Sequence, residues 1–188
     1  MKLAENLLSS SSRRGQIARY PFIDENSSTR FDDLGVSGRI LLTSDGTVTA
    51  MLQQIVDEQI VTAQLDQSVT AVDQDIQALM SDPVDRLVTR CTLLVGAITN
   101  TIYVRAKSVF SMSAMPRLVR AELLRTGEPI GRLLRKHRIE SFREIISVDI
   151  PTYPAPMAPS RRYLIFIGGS PAVLIEESFT AECFQYCG

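Results

Sequence analysis

Apolar residues are sparse at the start of this chain and periodic after it. Over residues 1–35, Ser9-Ser10-Ser11-Ser12-Arg13-Arg14-Gly15 and Asp24-Glu25-Asn26-Ser27-Ser28 are loop chemistry with little to bury. This part reads as a flexible N-terminal arm, with Tyr20-Pro21-Phe22 as a local anchor. Residues 36–188 read as one domain. Ile40-Leu41-Leu42 is a short apolar run and is expected as a first strand. Val48, Met51, Leu52, Ile55 and Val56 then recur at helical spacing, with Thr47 placed to cap the helix. Gln59 to Val72 alternates as a strand, and Asp75 to Met80 reads as a helical turn ended by Ser81-Asp82-Pro83. Leu87 to Ile98 and Ile102 to Phe110 are rich in β-branched residues and flank Thr99-Asn100-Thr101, a hairpin pattern. Met115 to Arg125 and Pro129 to Arg138 are short helices, with Pro116 in a first turn and Gly127 after the first helix. Phe142 to Ile150 is a strand, and Pro151 to Pro159 carries four prolines and must be an extended loop. Arg162 to Ile167 and Val173 to Phe179 close a second hairpin around Gly168-Gly169.

No parallel βαβ alternation appears in this order. It predicts an α+β fold: a single domain built on a mostly antiparallel sheet with helices packed on one face. The length of 188 residues suits one sizeable core, and 45% apolar with 22% charged residues is ordinary for a globular chain. A formal net charge of −1 gives no global field toward nucleic acid or an acidic membrane. Cys91, Cys183 and Cys187 are too few for a disulfide framework, and a single histidine, His137, excludes zinc-finger spacing. Met1 to Leu8 lack the apolar run of a signal peptide, and nothing approaches the roughly 18 apolar residues of a membrane span. A reduced, cytoplasmic setting is the expectation.

The chemistry worth testing lies on the strands. Val173, Ile175, Glu177 and Phe179 share one strand face, so Glu177 points where its neighbours are buried. A buried carboxylate is costly unless it is paired or hydrogen-bonded, and such groups cluster at functional sites. The plain alternative is a register slip at a bulge that leaves it solvated. Arg90 shares a face with Val88, Thr92 and Leu94, where a guanidinium can hold a carboxylate in bidentate fashion. The alternative is a stem lying on the sheet with its head in water. Arg105 and Lys107 alternate with Val104, Ala106 and Ser108, sharing a face with Tyr103, either as an anion site or as a solvated charged face. Glu128-Pro129-Ile130-Gly131-Arg132 opens a helix whose free N–H groups favour anions, and Gly131 allows close approach. The basic run from Arg117 through Arg132 and Arg135 to Arg143 admits a nucleic-acid reading but fits a solvated helical face better. His137 has no partner acid nearby in sequence, and the cysteines have no catalytic context.

Three segments together carry a family resemblance. They are Ser44-Asp45-Gly46-Thr47-Val48-Thr49, the run Glu128 to Leu134 with Ile139-Glu140-Ser141-Phe142-Arg143-Glu144, and Ile167 to Phe179. Their order and spacing resemble the chorismate pyruvate-lyases, in the divergent branch found in cyanobacteria, plastids, actinobacteria and archaea, over roughly residues 36–181. The resemblance implies a cofactor-free, metal-free lyase that converts chorismate to 4-hydroxybenzoate and pyruvate, supplying quinone precursors. It implies that Arg90 pairs with the ring carboxylate, assisted by the backbone at Ile130 and Gly131. Glu177 meets the ring hydroxyl, and the segment at Val48 is a flap over the ligand. Lys107 stands where the family has a second hairpin arginine, so Lys107 or Arg105 is the expected partner of the enolpyruvyl carboxylate.

Two other readings share the fold. One is a non-catalytic aromatic-acid-binding module, as in the effector domains of some transcription regulators. The other is an enzyme acting on a different chorismate-like substrate of secondary metabolism. Neither calls for nucleic acid binding or a membrane span by the chain itself.

Overall fold

The computed structural model describes residues 22–23, 31, 33–70, 74–80, 87–151 and 158–184. Most of the expected arm over 1–35, the middle of the four-proline loop, and Cys187 lie outside these residues. Five α-helices stand among them: α1 (Val36–Thr43), α2 (Val48–Ile55), α3 (Gln74–Met80), α4 (Arg117–Arg125) and α5 (Ile130–Lys136). Six strands form one sheet: β1 (Ile60–Thr70), β2 (Leu87–Gly96), β3 (Ile102–Ser111), β4 (Ser141–Asp149), β5 (Ser160–Ile167) and β6 (Ser170–Phe179). A 3₁₀ turn over Ala181–Phe184 follows β6.

The sheet order is β1-β2-β3-β6-β5-β4 and every neighbouring pair is antiparallel. Two three-stranded meanders thus meet along β3 and β6. The β2–β3 and β5–β6 links are tight turns, which favour antiparallel neighbours, whereas α3 lies between β1 and β2 and the proline-rich stretch between β4 and β5. Gly168 and Gly169, with φ of +58° and +80°, make the β5–β6 turn, and Asn100 at φ +57° serves the β2–β3 turn. The expected α+β architecture is therefore present.

Two expectations change. Ile40-Leu41-Leu42 lies in helix α1, not in a strand. A three-residue apolar run fits either period, and burial resolves it: Leu41 and Leu42 are in the core while Ile40 is exposed, as on one helix face. The helices also do not all share one face. α4 and α5 set Val119, Leu123, Ile130 and Leu133 onto Val88, Phe110, Tyr163, Ile165, Val173 and Ile175. At the other end of the same face, Leu41, Leu42, Val48 and Leu52 of α1 and α2 meet Leu94, Val104, Val148 and Phe179. α3 packs instead on the opposite face, where Met80 joins Leu87, Val109, Leu164 and Leu174. From the first 35 residues, Phe31 is buried in the core, and Ile23 bridges to Val148 on edge strand β4.

Candidate functional site

Between the α1/α2 pair and the α4/α5 pair, the helical layer parts over the junction of the two meanders. The gap is a hollow that is partly open to solvent. Its floor is a row of sheet positions: Arg90, Thr92 and Leu94 of β2, Ala106, Ser108 and Phe110 of β3, and Ile175 and Glu177 of β6. Tyr163, Ile165 and Arg143 extend the floor across β5 and β4. Thr47, Val48 and Thr49 at the start of α2 form one wall, and Pro129, Ile130 and Gly131 at the start of α5 form the other. Cross-strand register assembles this row: Arg90 stands opposite Ser108, Ala106 opposite Glu177, and Arg161 opposite Glu177.

Glu177 is 3% exposed. Arg161 Nε donates to its Oε2 at 2.7 Å, and the Tyr163 hydroxyl donates to Oε1 at 3.0 Å. Arg161 is itself 1% exposed, and its guanidinium carbon lies 5.0 Å from the Tyr163 ring centroid and 5.8 Å from that of Phe179. Burial, the largest single influence, would lower the Arg161 pKa, but the charges and hydrogen bonds of Glu177 and Tyr163 together raise it, so this cation stays charged. Burial, then the charge of Glu177, push the Tyr163 phenol well above its ordinary value, which keeps it a proton donor. Both oxygens of Glu177 are thus held as acceptors on the floor of the hollow.

Arg90 is 2% exposed and heavily engaged. Nε donates to Gln67 Oε1 at 3.0 Å, Nη1 to the Glu128 carbonyl at 2.9 Å, and Nη2 to the carbonyls of Thr126, at 3.2 Å, and Leu123. It closes the C-terminal end of α4, where carbonyls lack intrahelical donors, and it ties β1 and β2 to the α4–α5 junction. Of five guanidinium N–H groups, four are used by the protein, leaving one on Nη1. Burial lowers its pKa from the ordinary arginine value.

Arg143 is the contrasting cation. It lines the hollow, it is half-buried, and it has no ion pair or hydrogen bond among the described residues. Its Nη2 lies 3.5 Å from where a Cβ on Gly131 would stand, so it faces the start of α5 across the gap. Ile130 and Gly131 are the first two residues of that helix, where backbone N–H groups have no carbonyl one turn back.

Arg105 and Lys107 are not in the hollow. Both are exposed, and they line a groove on the opposite face of the sheet with Cys91, Glu176 and Ser178. A single bulge explains the reversal. Val95 pairs with Ile102 but Leu94 pairs with Val104, so Tyr103 is an extra residue in β3. Continued without it, the turn register would set Lys107 opposite Arg90; the one-residue shift sets Ser108 there and turns Lys107 away. The bulge is held in place, because the Tyr103 carbonyl accepts from Thr180 N at 2.9 Å and its hydroxyl donates to Glu58 at 2.8 Å. His137 also departs from expectation: its Nε2 lies 2.8 Å from Glu122 Oε2 on the preceding helix.

The sequence model of a family described as "Chorismate pyruvate-lyase Rv2949c-like" matches residues 42–186. The chain belongs to this family. A chorismate pyruvate-lyase of Mycobacterium leprae is 30% identical over 158 residues, covering 78% of this chain and 75% of that protein. A chorismate pyruvate-lyase of Mycobacterium tuberculosis H37Rv is 26% identical over 161 residues, covering 78% and 81%. Among solved structures, the effector domain of PhnF from Mycobacterium smegmatis superposes with a TM-score of 0.55 at 9% identity, over 75% of this chain and 92% of that one. At that identity the likeness is one of fold.

For this family member, Arg90, Glu177, Val48, Ile130 and Gly131 line one hollow. Three further residues of the site were not singled out in the sequence. Arg161 and Tyr163 sit at alternate positions of β5 and face the same side as Glu177, so their strand periodicity carried the signal. Arg143 was grouped with a basic run that looked solvated, yet Arg143 alternates with Ile145 on β4 and shares its inward face.

Proposed function

We propose that this chain is a chorismate pyruvate-lyase that eliminates pyruvate from chorismate and leaves 4-hydroxybenzoate. The observation that carries the reading is a hollow with a pinned acceptor, Glu177, on its floor and an unpaired cation, Arg143, at its side. Chorismate is a dianion with a ring carboxylate, a ring hydroxyl and an enolpyruvyl ether. The ring carboxylate is placed against the remaining Nη1–H of Arg90 and the N–H groups of Ile130 and Gly131. The ring hydroxyl donates to Glu177. The enolpyruvyl carboxylate pairs with Arg143, which takes the role expected of Arg105 or Lys107.

In the elimination, the C3–O bond breaks as the proton leaves C4. The C–H electron pair becomes the third double bond of the ring, and the C–O pair goes to the departing enolpyruvate. One proton lost from the ring balances the one gained when enolpyruvate becomes pyruvate. No electron acceptor or co-reactant is required. Aromatisation drives the step, so the protein contributes orientation, exclusion of water and a fixed cation beside the leaving oxygen. Val48, with Thr47 and Thr49, covers the ligand from the α2 side.

Pyruvate release from chorismate, followed with lactate dehydrogenase, tests the reading, with chromatography identifying 4-hydroxybenzoate. Glu177→Gln and Arg143→Gln should each lower kcat/KM by at least about tenfold, the equivalent of one lost charge-assisted hydrogen bond. No pyruvate from the purified protein, or full turnover in both variants, overturns it. Stabilisation by 4-hydroxybenzoate without pyruvate release would instead identify a ligand-binding module; a saturating ligand at a hundred times its Kd adds about 2.7 kcal/mol.

A further inference from the structure

Arg161 does more than neutralise Glu177. While Nε holds the carboxylate, Nη1 donates to the backbone carbonyl of Ser44 at 2.8 Å, 117 positions away in sequence. Ser44 is the C-cap of α1, and its own N–H donates to Ile40 O at 2.9 Å. Its side-chain oxygen accepts from Gly46 N at 3.0 Å. The next residues, Thr47 to Thr49, are the wall of the hollow. One guanidinium, fixed between two aromatic rings and 1% exposed, thus bridges the acceptor on the floor and the loop that forms the wall.

We propose that Arg161 is a positioning residue that couples a ligand's hydroxyl at Glu177 to the α1–α2 loop, so that a ring acid bearing a hydroxyl opposite its carboxylate sets the loop and one lacking it does not. The proposal rests on the ligand class assigned above. A planar guanidinium presents its donors in a rigid fork, so a shift of the carboxylate toward a ligand hydroxyl is transmitted to the Ser44 carbonyl. Lysine at this position keeps the charge but loses the fork, and its single ammonium cannot hold both partners in this geometry.

Amide hydrogen exchange over residues 45–51 is the measurement. Ala50 and Met51 both donate to the Thr47 carbonyl, at 3.0 and 3.3 Å, and report the opening of this segment. In the ligand-free protein, Arg161→Lys should speed exchange there by about tenfold, the loss of one buried hydrogen bond. At equal occupancy, 4-hydroxybenzoate should protect the segment of the parent protein more than benzoate does, and the two acids should act alike on Arg161→Lys. Equal protection by both acids in the parent, or unchanged exchange in Arg161→Lys, overturns the proposal. Should Arg161→Lys fail to fold, Glu177→Gln replaces it: faster exchange over residues 45–51 supports the coupling and an unmoved loop refutes it. Failure of both acids to bind would count against the functional reading, and the ligand-free comparison would still decide whether Arg161 links Glu177 to the loop.

Discussion

Arg90→Met separates a brace from a ligand clamp. In the structure this side chain supplies donors to the carbonyls of Leu123, Thr126 and Glu128 and to the amide of Gln67. Methionine keeps much of the stem packing against Phe110, whose ring centroid lies 5.6 Å from the guanidinium carbon. It removes every donor. Each carbonyl left without a partner costs about 1–3 kcal/mol where water cannot reach it. The α4–α5 junction borders solvent through Thr126, Gly127 and Glu128, so water can replace part of the loss. Three carbonyls near the lower end of that range give a destabilisation of about 3–5 kcal/mol. For a chain of this size that is a drop in Tm of roughly 6–20 °C. Differential scanning calorimetry of parent and variant, with Arg90→Lys as an intermediate case, measures it. A variant melting within about 2 °C of the parent, while binding of 4-hydroxybenzoate collapses, would refute the bracing argument and return Arg90 to a ligand role alone.

Arg143→Gln should behave in the opposite way: stability within about 0.5 kcal/mol of the parent, but chorismate bound roughly 10- to 100-fold more weakly by steady-state kinetics, while 4-hydroxybenzoate, which lacks the enolpyruvyl carboxylate, binds within about twofold of the parent by calorimetry. The double substitution Arg105→Ser and Lys107→Ser, on the far face of the sheet, should leave kcat/KM within about twofold at physiological salt, where screening weakens charges acting across the sheet. Tyr163→Phe removes a buried donor to a carboxylate and should cost about 2 kcal/mol in urea unfolding, with no change in the m-value. Glu58 accepts from the Thr99 hydroxyl, from the backbone of Ile98 and Thr99, and from Tyr103, and these bonds lower its carboxyl from 4.5 to about 2. A depressed folded-state value means a contribution fully present above pH 4.5 and lost as pH falls toward 2. Plots of Tm against pH for the parent and Glu58→Gln should therefore converge across that window, and parallel curves would contradict it.

Much of the fold was legible because it rests on local rules. The two hairpins were marked by β-branched runs around short turns, α2 by helical spacing, and α4 and α5 by Pro116 and Pro129 at their starts with Gly127 between them. The inward direction of Glu177 followed from strand alternation alone, and the structure finds Val173, Ile175, Glu177 and Phe179 all buried. Ile40-Leu41-Leu42 was misread because three apolar residues carry no period, and only packing against the sheet and the 3₁₀ turn decides between helix and strand.

What the chain determined by itself was which residues alternate with which; what the tertiary structure decided was which alternating set faces the hollow. Side chains on a strand have a period of two, so one extra residue reverses everything beyond it. The bulge at Tyr103 is fixed by Thr180 and Glu58, both distant in sequence, and it sends Lys107 outward while Ser108 comes to stand beside Arg90. The β3–β6 and β5–β6 pairings then bring Arg161, Tyr163 and Glu177 together, and the α1–α2 loop closes on Arg161 from 117 residues away. Long-range pairing of this kind depends on the register of the whole sheet, and no local window of sequence contains it.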